Sequence, residues 1–257
     1  MKTIAFHATK GGVGKSFLSL QVAHGLHRSG LRVLAIDADQ QGSLTHLLLG
    51  HPSKIGLASL LVGDADIDSV IIPTSSVWGG VHLISGGEWL TGAVKEIATM
   101  PGRELLLKNA LKAVHDRYDF VVIDCAPSRD DITHNAIAAA DRVYTPCTPT
   151  SLDTMGIGLT SNIIGMLVRN LGLSVVMGGI ILNRWGRDRL AKDIAKTLTA
   201  QFGSLVCQSA IPDTVKARES LCERVPVCDH VPGSPVAIAI QSLIREVIAH
   251  GRLKECA

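Results

Sequence analysis

The sequence lacks several features that would place it in a specialised class of protein. Its six cysteines form no Cys-x-x-Cys pair, so no paired-thiol metal site is indicated. Its most apolar region, 157–182, contains Asn162, Arg169 and Asn170, so it falls short of the roughly 20 uninterrupted apolar residues of a membrane span. The formal net charge is only +2, so overall basicity does not demand a nucleic-acid partner, although a local basic patch is compatible with it.

The N-terminus also lacks the pattern of a secretory leader, because a strand-like run starts at once. We therefore expect a reducing cytoplasmic setting with buried free thiols, and we assign no role to Cys222 or Cys228. The chain has 257 residues, of which 46% are hydrophobic. This size and composition favour one α/β domain with a single large core over 1–257.

A glycine-rich segment, Thr9-Lys10-Gly11-Gly12-Val13-Gly14-Lys15-Ser16, lies between a strand-like run (3–8) and a helix-like run (16–30). Its glycines allow backbone N–H groups to turn around an anion, and the helix N-terminus adds its positive end. Lys15 and Ser16 are placed to contact phosphate and Mg²⁺. The usual P-loop pattern starts with Gly, whereas this chain has Thr9 there and a second lysine, Lys10, beside it.

Three carboxylates follow apolar strand-like runs. Asp37 and Asp39 come after the run 32–36, and Asp124 comes after the run 120–123. Because the carboxyl ends of parallel strands meet at one edge of a sheet, we expect all three beside the glycine segment. A single aspartate there would usually be a turn residue, but three with a phosphate cradle indicate a Mg²⁺–nucleotide site.

Strand-like and helix-like runs alternate along most of the chain. This order predicts a doubly wound, mostly parallel α/β sheet. We predict further strands at 81–84, 142–145, 174–182 and 205–209. We predict further helices at 56–62, 102–118, 131–140, 152–171 and 188–202, followed by two closing helices.

A dinucleotide-binding loop is the main competing interpretation of the glycine segment. Gly12-x-Gly14 follows a strand-like run. Asp37 follows these glycines at about the separation along the sequence that is expected of a ribose-binding acid. However, the third glycine of that pattern would fall at Phe17, and Lys15 would have no purpose. The P-loop interpretation is therefore favoured.

Several segments together resemble one family. The segment Lys10-Gly11-Gly12-Val13-Gly14-Lys15-Ser16 is similar to the deviant Walker A signature of the ParA/MinD P-loop ATPases (SIMIBI type). The segments Asp37-Ala38-Asp39-Gln40-Gln41-Gly42-Ser43 and Val121-Val122-Ile123-Asp124-Cys125-Ala126-Pro127 resemble the DxDPQG and Walker B segments of that family. The likeness extends through Gly102-Arg103-Glu104, Asn135-Ala136, Ala140-Asp141 and Ile211-Pro212, so it covers nearly the whole chain.

The resemblance implies an ATPase in which two ATP-bound subunits sandwich two nucleotides, with Lys10 of each reaching the phosphates of the other. It implies that Asp39 positions the attacking water. It also implies that Ser16 contacts Mg²⁺, that Asp37 supports the ion, and that Asp124 holds it through water. The nucleotide-binding residues it implies are Lys10, Gly11, Gly12, Val13, Gly14, Lys15, Ser16, Phe17, Asn183, Pro212 and Asp213. Two alternatives stay open. The role of Lys10 could be limited to raising the local positive electrostatic potential in its own subunit, and Asn183 could be a strand-end turn residue.

Three single positions and one three-residue segment depart from the family pattern. Gln40 replaces the usual Pro, Phe17 replaces Thr, and Ala126 replaces Pro. The charged segment Arg129-Asp130-Asp131 replaces a mostly apolar stretch where the family has a nucleotide-sensing switch. None of these changes removes a phosphate or metal ligand, and we expect Phe17 to face the core.

Within the family, the Asp-x-Asp-x-Gln-Gly segment favours the short ParA form over MinD. MinD-type proteins bind membrane through a C-terminal amphipathic helix, whereas the C-terminal apolar positions here resemble a core stripe, so we expect no stable membrane anchor. These positions are Val236, Ile240, Leu243, Ile244 and Val247. A MinD-like membrane-associated regulator and a metabolic P-loop enzyme, such as an ATP-dependent ligase, remain the alternatives.

The short ParA form implies an ATP-bound homodimer that binds DNA nonspecifically at the nucleoid and that is stimulated by a ParB-like or cargo-adaptor protein. DNA binding of this kind requires a basic face that reads phosphates. The candidates are Arg187, Arg189, Lys192, Lys196, Lys216, Arg218 and Arg224. Acidic residues are interleaved with them, so ordinary solvated helix faces are an equally good interpretation.

Overall fold

The computed structural model describes residues 1–186 and 188–252 of the chain. The strands are Lys2–Phe6 (β1), Val33–Ala38 (β2), Ile71–Pro73 (β3), His82–Ile84 (β4), Phe120–Cys125 (β5), Arg142–Cys147 (β6), Val176–Trp185 (β7) and Val206–Pro212 (β8). They pair in the order β3-β4-β2-β5-β1-β6-β7-β8. All neighbouring pairs are parallel except β3 and β4, which are antiparallel. The predicted doubly wound, mostly parallel sheet is confirmed.

Helices cover both faces of this sheet, as the alternation of strands and helices requires. The α-helices are Lys15–Arg28 (α1), Ser43–Leu49 (α2), Leu57–Val62 (α3), Ile67–Val70 (α4), Leu90–Ile97 (α5), Leu106–Ala110 (α6), Asp131–Ala139 (α7), Ser151–Leu171 (α8), Arg189–Phe202 (α9), Val215–Cys222 (α10), Val227–His230 (α11) and Pro235–Arg252 (α12). Short 3₁₀ turns occur at Ser76–Trp78, Arg103–Leu105, Leu111–Val114 and Gly203–Leu205.

The apolar core is divided by the sheet into two main layers. One layer contains buried side chains of α3, α5, α6, α7 and α8, and the other contains those of α1, α2, α11 and α12. Val236, Ile240, Leu243, Ile244 and Val247 of α12 lie in the second layer and are at most 6% exposed, so the predicted core stripe is confirmed. In the described part of the chain, no helix combines the length and apolarity needed to cross a membrane.

The predicted helix over 102–118 is wrong, because the segment is broken into two 3₁₀ turns and the five-residue helix α6. Gly102 has a left-handed φ of 64°, which starts the segment with a turn. The side chain of Asn135 then donates to the carbonyl of Arg103 (2.5 Å) and accepts from the N–H of Leu107 (3.0 Å). Backbone groups of this segment are thus bonded to a side chain of α7, a long-range contact that helical periodicity does not report.

Two smaller predictions also need correction. In the described part of the chain, three helices follow β8 where two were predicted, since α11 separates α10 from α12. The thiol of Cys222 is exposed and that of Cys228 is half-buried, whereas Cys125, Cys147 and Cys207 are buried as expected. Cys125, Cys207, Cys222 and Cys228 are free thiols. Cys256 lies outside the described residues.

Candidate nucleotide site

The glycine segment forms a phosphate cradle at the carboxyl end of β1. Gly12 and Gly14 have φ values of 77° and 93°, a left-handed conformation that side-chain-bearing residues rarely adopt. The helix α1 begins directly afterwards at Lys15, so its N-terminal N–H groups face the same space. A β-carbon at Gly14 would lie 2.2 Å from the amide nitrogen of Asn183, which excludes any larger residue there.

The two lysines of the segment have different environments. Lys15 is 6% exposed, and its ammonium donates to the carbonyl of Lys10 at 3.3 Å. Burial lowers the pKa of Lys15, while the carboxylates of Asp124 and Asp39 oppose this shift. Lys10 is exposed, and its ammonium lies 3.3 Å from the hydroxyl of Thr150 before α8. Lys15 therefore belongs to the interior of the site, and Lys10 lies at its surface.

Asp37 and Asp124 lie side by side within the sheet. They are register partners on the parallel strands β2 and β5, and both are fully buried. Burial, followed by the charge of Asp37, raises the pKa of Asp124 to about 8. The Oδ1 atom of Asp124 accepts from the hydroxyl of Ser19 at 3.2 Å, but its Oδ2 atom has no hydrogen-bond partner among the described residues.

The other two aspartate positions are held by local hydrogen bonds. The Oδ2 atom of Asp37 accepts from both the N–H and the hydroxyl of Thr45, each at 2.7 Å, and its Oδ1 atom accepts from the N–H of Asp39 at 3.2 Å. Burial raises the pKa of Asp37 to about 6, although these hydrogen bonds lower it. Asp39 is 8% exposed and accepts from the N–H of Gln41 at 2.9 Å. Asp37 thus anchors the start of α2, and Asp39 lies closer to the surface.

The donor set fits a magnesium ion. A hard divalent cation binds oxygen ligands and neutralises negative charge. The site offers a hydroxyl, a buried carboxylate oxygen without a hydrogen-bond partner, and a cluster of carboxylates. Ser16 lies beside Asp124, and its hydroxyl favours the charged form of that carboxylate. No group of three or more His, Cys, Asp or Glu side chains in the described ranges forms a metal cage. This agrees with Mg²⁺ chemistry, in which water and substrate phosphates supply most ligands.

A cavity of about 630 Å³ lies over the cradle and has room for a nucleotide. It is lined by Gly11, Gly12, Gly14, Lys15, Ser16, Phe17, Asp39, Gln41, Ser43, His46, Leu47, Pro127, Arg184 and Leu221. The sequence predicted the cradle residues as part of this site, and also Phe17 and Asp39. It did not predict the lining residues from α2, β7 and α10, because no local motif marks them. Phe17 is also 9% exposed and packs in the core, as predicted.

A smaller cavity of about 50 Å³ adjoins the cradle on the side of β7 and β8. Pro212 and Asp213 line it, together with Asn183. Asn183 is 3% exposed, and its amide donates to the carbonyl of Val13 at 2.7 Å. The structure therefore brings together Asn183, Pro212 and Asp213, the three residues predicted near the base. Asn183 also holds the cradle through its hydrogen bond to Val13.

Comparison with known proteins agrees with this geometry. A family model described as an AAA domain matches residues 1–175. The chromosome-partitioning ATPase Soj of Treponema pallidum is 32% identical over 249 residues, which cover 96% of this chain and 97% of Soj. The chain belongs to the ParA/MinD family of ATPases.

Solved structures in this family and its neighbours share the fold. A cobyrinic acid a,c-diamide synthase from Mycobacterium smegmatis, with a bound ATP analogue and magnesium, is 26% identical with a TM-score of 0.84, and the match covers 97% of this chain and 95% of the synthase. The septum site-determining protein MinD from Pyrococcus horikoshii, complexed with Mg-ADP, is 25% identical with a TM-score of 0.74, and covers 96% and 95% respectively. The fold is that of the P-loop NTPases.

Two of the departures from the family pattern, Gln40 and Asp130, contact each other. The Gln40 amide lies 3.5 Å from Asp130, which in turn caps α7 by accepting from the N–H of Thr133 at 3.0 Å. Asp131 pairs with Arg103 at 3.2 Å. Two of the unusual charges therefore have structural partners. Nothing in the structure explains Arg129.

The predicted DNA-binding residues within the described ranges are exposed, and three of them are paired with acids. Arg189 lies 3.7 Å from Asp193, and Lys216 lies 2.8 Å from Glu219. Arg218 lies 3.7 Å from Asp213 at the base-side cavity. Lys192 and Lys196 project from α9, whereas the guanidinium of Arg224 packs against Gly50 at the end of α2. Arg187 falls outside the described residues.

Proposed function

We propose that this protein is a partition or positioning ATPase of the ParA type. In this proposal it dimerises with ATP, binds DNA nonspecifically at the nucleoid, and leaves DNA after hydrolysis stimulated by a ParB-like or cargo-adaptor protein. One observation carries the proposal: the 32% identity to a chromosome-partitioning ATPase extends over almost the full length of both chains. The nature of the cargo stays open.

The chemistry of the site supports ATP and Mg²⁺ as the cofactors. Backbone N–H groups of 11–16 and the ammonium of Lys15 are positioned to bind the β- and γ-phosphates. Ser16 and Asp124 would hold Mg²⁺, with Asp37 behind them, and the bound ion would neutralise charge on the phosphates. Structures of the neighbouring synthase and MinD contain nucleotide and magnesium, which supports the same assignment here.

Asp39 is the best-placed residue to position the attacking water. It lines the cavity and is only 8% exposed, and its Oδ1 atom is fixed by the N–H of Gln41. A carboxylate held in this way keeps one orientation while it accepts a proton from water. Removing it would leave nucleotide binding to the cradle and would impair hydrolysis.

Lys10 supports a hydrolysis step that requires two subunits. Its own ammonium lies toward Thr150 at the surface, whereas Lys15 occupies the interior position beside the carboxylates. A surface cation at the rim of one nucleotide site can reach the phosphates of a second subunit packed face to face. Dimerisation would then complete the catalytic charge, which makes hydrolysis conditional on assembly.

The basic residues of α9 and α10 support DNA binding through phosphate contacts. Arg218 is our first choice because it follows shortly after Pro212, the position that the family resemblance implies. Its ion pair with Asp213 is long and solvent-exposed and therefore weak, so it does not compete strongly with a phosphate. Arg218→Ala should weaken ATP-dependent binding to nonspecific DNA and reduce the slope of log affinity against log salt by about 0.9. Unchanged binding at several salt concentrations would remove Arg218 from the interface.

A metabolic enzyme is the second candidate, favoured by the 26% identity and TM-score of 0.84 to the synthase. A synthase of that kind would turn over ATP only with its small-molecule substrate. Binding of Asp39→Ala to a plasmid in ATP and in ADP separates the two candidates. Retention on DNA in ATP alone supports partition, whereas indifference to DNA in both nucleotides favours the metabolic enzyme.

A further inference from the structure

His7 is a buried titratable side chain that no motif of the sequence marks. It follows β1 directly, and its backbone N–H donates to the carbonyl of Tyr144 on β6 at 3.0 Å. Its side chain is fully buried. A polar ring is costly to bury unless its nitrogens find hydrogen-bond partners. Both nitrogens of His7 have one, and the two partners belong to different elements around the nucleotide site.

The two hydrogen bonds fix one state of the imidazole. Its Nε2 atom lies 3.3 Å from the carbonyl oxygen of Ser128, and its Nδ1 atom lies 3.0 Å from the hydroxyl of Thr160 on α8. Because a carbonyl can only accept, Nε2 carries the proton and donates, and Nδ1 accepts from the hydroxyl. Burial lowers the pKa of His7 to about 4, so the ring is neutral near pH 7 and keeps this arrangement.

The bond to Ser128 holds one wall of the nucleotide cavity. Ser128 lies in the loop between β5 and α7, and the residue before it, Pro127, lines the large cavity over the cradle. Asp39, which we assign to the attacking water, lines the same cavity. The hydroxyl of Ser128 lies 2.8 Å from that of Thr133 on α7. The loop is therefore held by α7 on one side and by His7 on the other.

The second hydrogen bond of His7 holds α8 against the cradle. A β-carbon at Gly156 of α8 would lie 3.2 Å from the hydroxyl of Thr9, so the helix packs closely on the first residue of the glycine segment. The ammonium of Lys10 lies 3.3 Å from the hydroxyl of Thr150, the residue before α8. Three residues after β1 therefore contact α8 or the residue that precedes it.

We propose that His7 is a positioning residue for ATP hydrolysis. It acts through Ser128 and Thr160, because one neutral ring keeps both the loop after β5 and α8 at fixed distances from the cradle. Hydrolysis depends on the spacing of the groups around the cavity, whereas nucleotide binding depends mainly on the cradle itself. Loss of His7 should therefore slow hydrolysis far more than it weakens binding. The proposal rests on the ATP site described under the proposed function and not on DNA binding.

Single-turnover hydrolysis of ATP and calorimetric titration of ADP, each with Mg²⁺, test the proposal. His7→Leu removes both hydrogen bonds and should lower the rate constant for hydrolysis by about 5- to 30-fold, while the Kd for ADP changes by less than about 2-fold. His7→Gln keeps an N–H donor for the carbonyl of Ser128 and should recover most of the rate.

Thr160→Val tests the same hydrogen-bond chain from its other end. The variant keeps the shape of the side chain but leaves Nδ1 of His7 without its donor, so the rate should fall by about 3- to 10-fold. The double variant of His7→Leu and Thr160→Val should be no slower than His7→Leu alone, because both changes break one chain of bonds.

Val247→Ala is the matched control for a general loss of stability. Val247 is buried in the core layer of α12 and lines a small cavity at the amino end of β1, the opposite end from the cradle. This variant should lower the urea midpoint and leave the hydrolysis rate at the wild-type value.

Three results would overturn the proposal: a wild-type hydrolysis rate in His7→Leu, a rate loss in that variant matched by an equal loss of ADP affinity, or a double variant slowed by the product of the two single factors. Should His7→Leu not fold, a wild-type rate in Thr160→Val would overturn it alone. Failure of the wild-type chain to hydrolyse ATP would instead overturn the proposed function.

Discussion

The crowded carboxylates predict that the metal-free protein loses stability as pH rises. Burial raises the pKa of Asp124 to about 8 and that of Asp37 to about 6, so the folded state holds protons that the unfolded state has released. Stability linked to these groups is fully present below about pH 4, the ordinary carboxyl value, and is lost as pH rises through the folded pKa values. Asp124→Asn removes the larger share of this loss and keeps an oxygen for the hydroxyl of Ser19.

The size of the effect follows from the shift. A difference of about 4 pKa units, at about 1.4 kcal/mol each, sets an upper limit of about 6 kcal/mol, which is reached as pH rises above 8. The actual gain should be smaller, on the order of 2–4 kcal/mol, because Asp37 can carry the shared proton in place of Asp124. At roughly 2–4 °C per kcal/mol for a chain of this size, Tm should rise by several degrees.

Urea or thermal unfolding of both proteins in EDTA, without nucleotide, between pH 4 and pH 9 measures this difference. The two curves should meet near pH 4 and diverge with increasing pH, with the variant more stable. Asp124→Asn should at the same time lose Mg²⁺-dependent nucleotide binding. A stability difference that does not change with pH, or a variant that is less stable at pH 8, would refute the assignment of buried, uncompensated charge.

Three further predictions concern separate contacts. Lys15→Ala should abolish nucleotide binding, whereas Lys10→Ala should retain ATP affinity and lose dimer formation and hydrolysis; equal loss of affinity in both, measured by calorimetry, would disprove this division. Asn183→Ala removes the bond from the amide to the carbonyl of Val13 and should cost about 1–2 kcal/mol in unfolding free energy and weaken ATP binding, and an unchanged urea midpoint would contradict it. The carboxylate of Glu246 accepts hydrogen bonds from two backbone N–H groups of the edge strand β8, at 2.9 and 3.0 Å. Glu246→Ala leaves these N–H groups without their partner and should lower the free energy of unfolding by about 1–2 kcal/mol, and Glu246→Gln should lower it by less.

The features that sequence predicted best are those set by short-range patterns. The glycines of the cradle, the start of α1 and the alternation of strands and helices all depend on neighbouring residues. Parallel pairing then brings the strand ends to one edge, so the sequence alone places Asp37 and Asp124 together. The strands extend slightly further than predicted, through Ala38 and Cys125. Asp37 and Asp124 therefore lie inside the ladder, which explains their complete burial.

The features that sequence missed depend on long-range contacts. The break after Gly102 is set by a side chain of α7, and the hydrogen bonds of Thr45 to Asp37 link α2 to β2. The bulge at Arg184 depends on the register between β7 and β8. The region 46–100 contains short elements, including α2, α4, α5 and β3, that are too brief for periodicity to resolve.

The central claim, an ATP-dependent dimer that binds DNA, is tested most directly by sedimentation velocity of Asp39→Ala with Mg²⁺ and either ATP or ADP, with and without plasmid DNA. The variant should bind ATP without turning it over. We expect a species of twice the monomer mass in ATP alone, which moves with the plasmid, and a free monomer in ADP. A monomer in ATP that is indifferent to DNA would contradict the account.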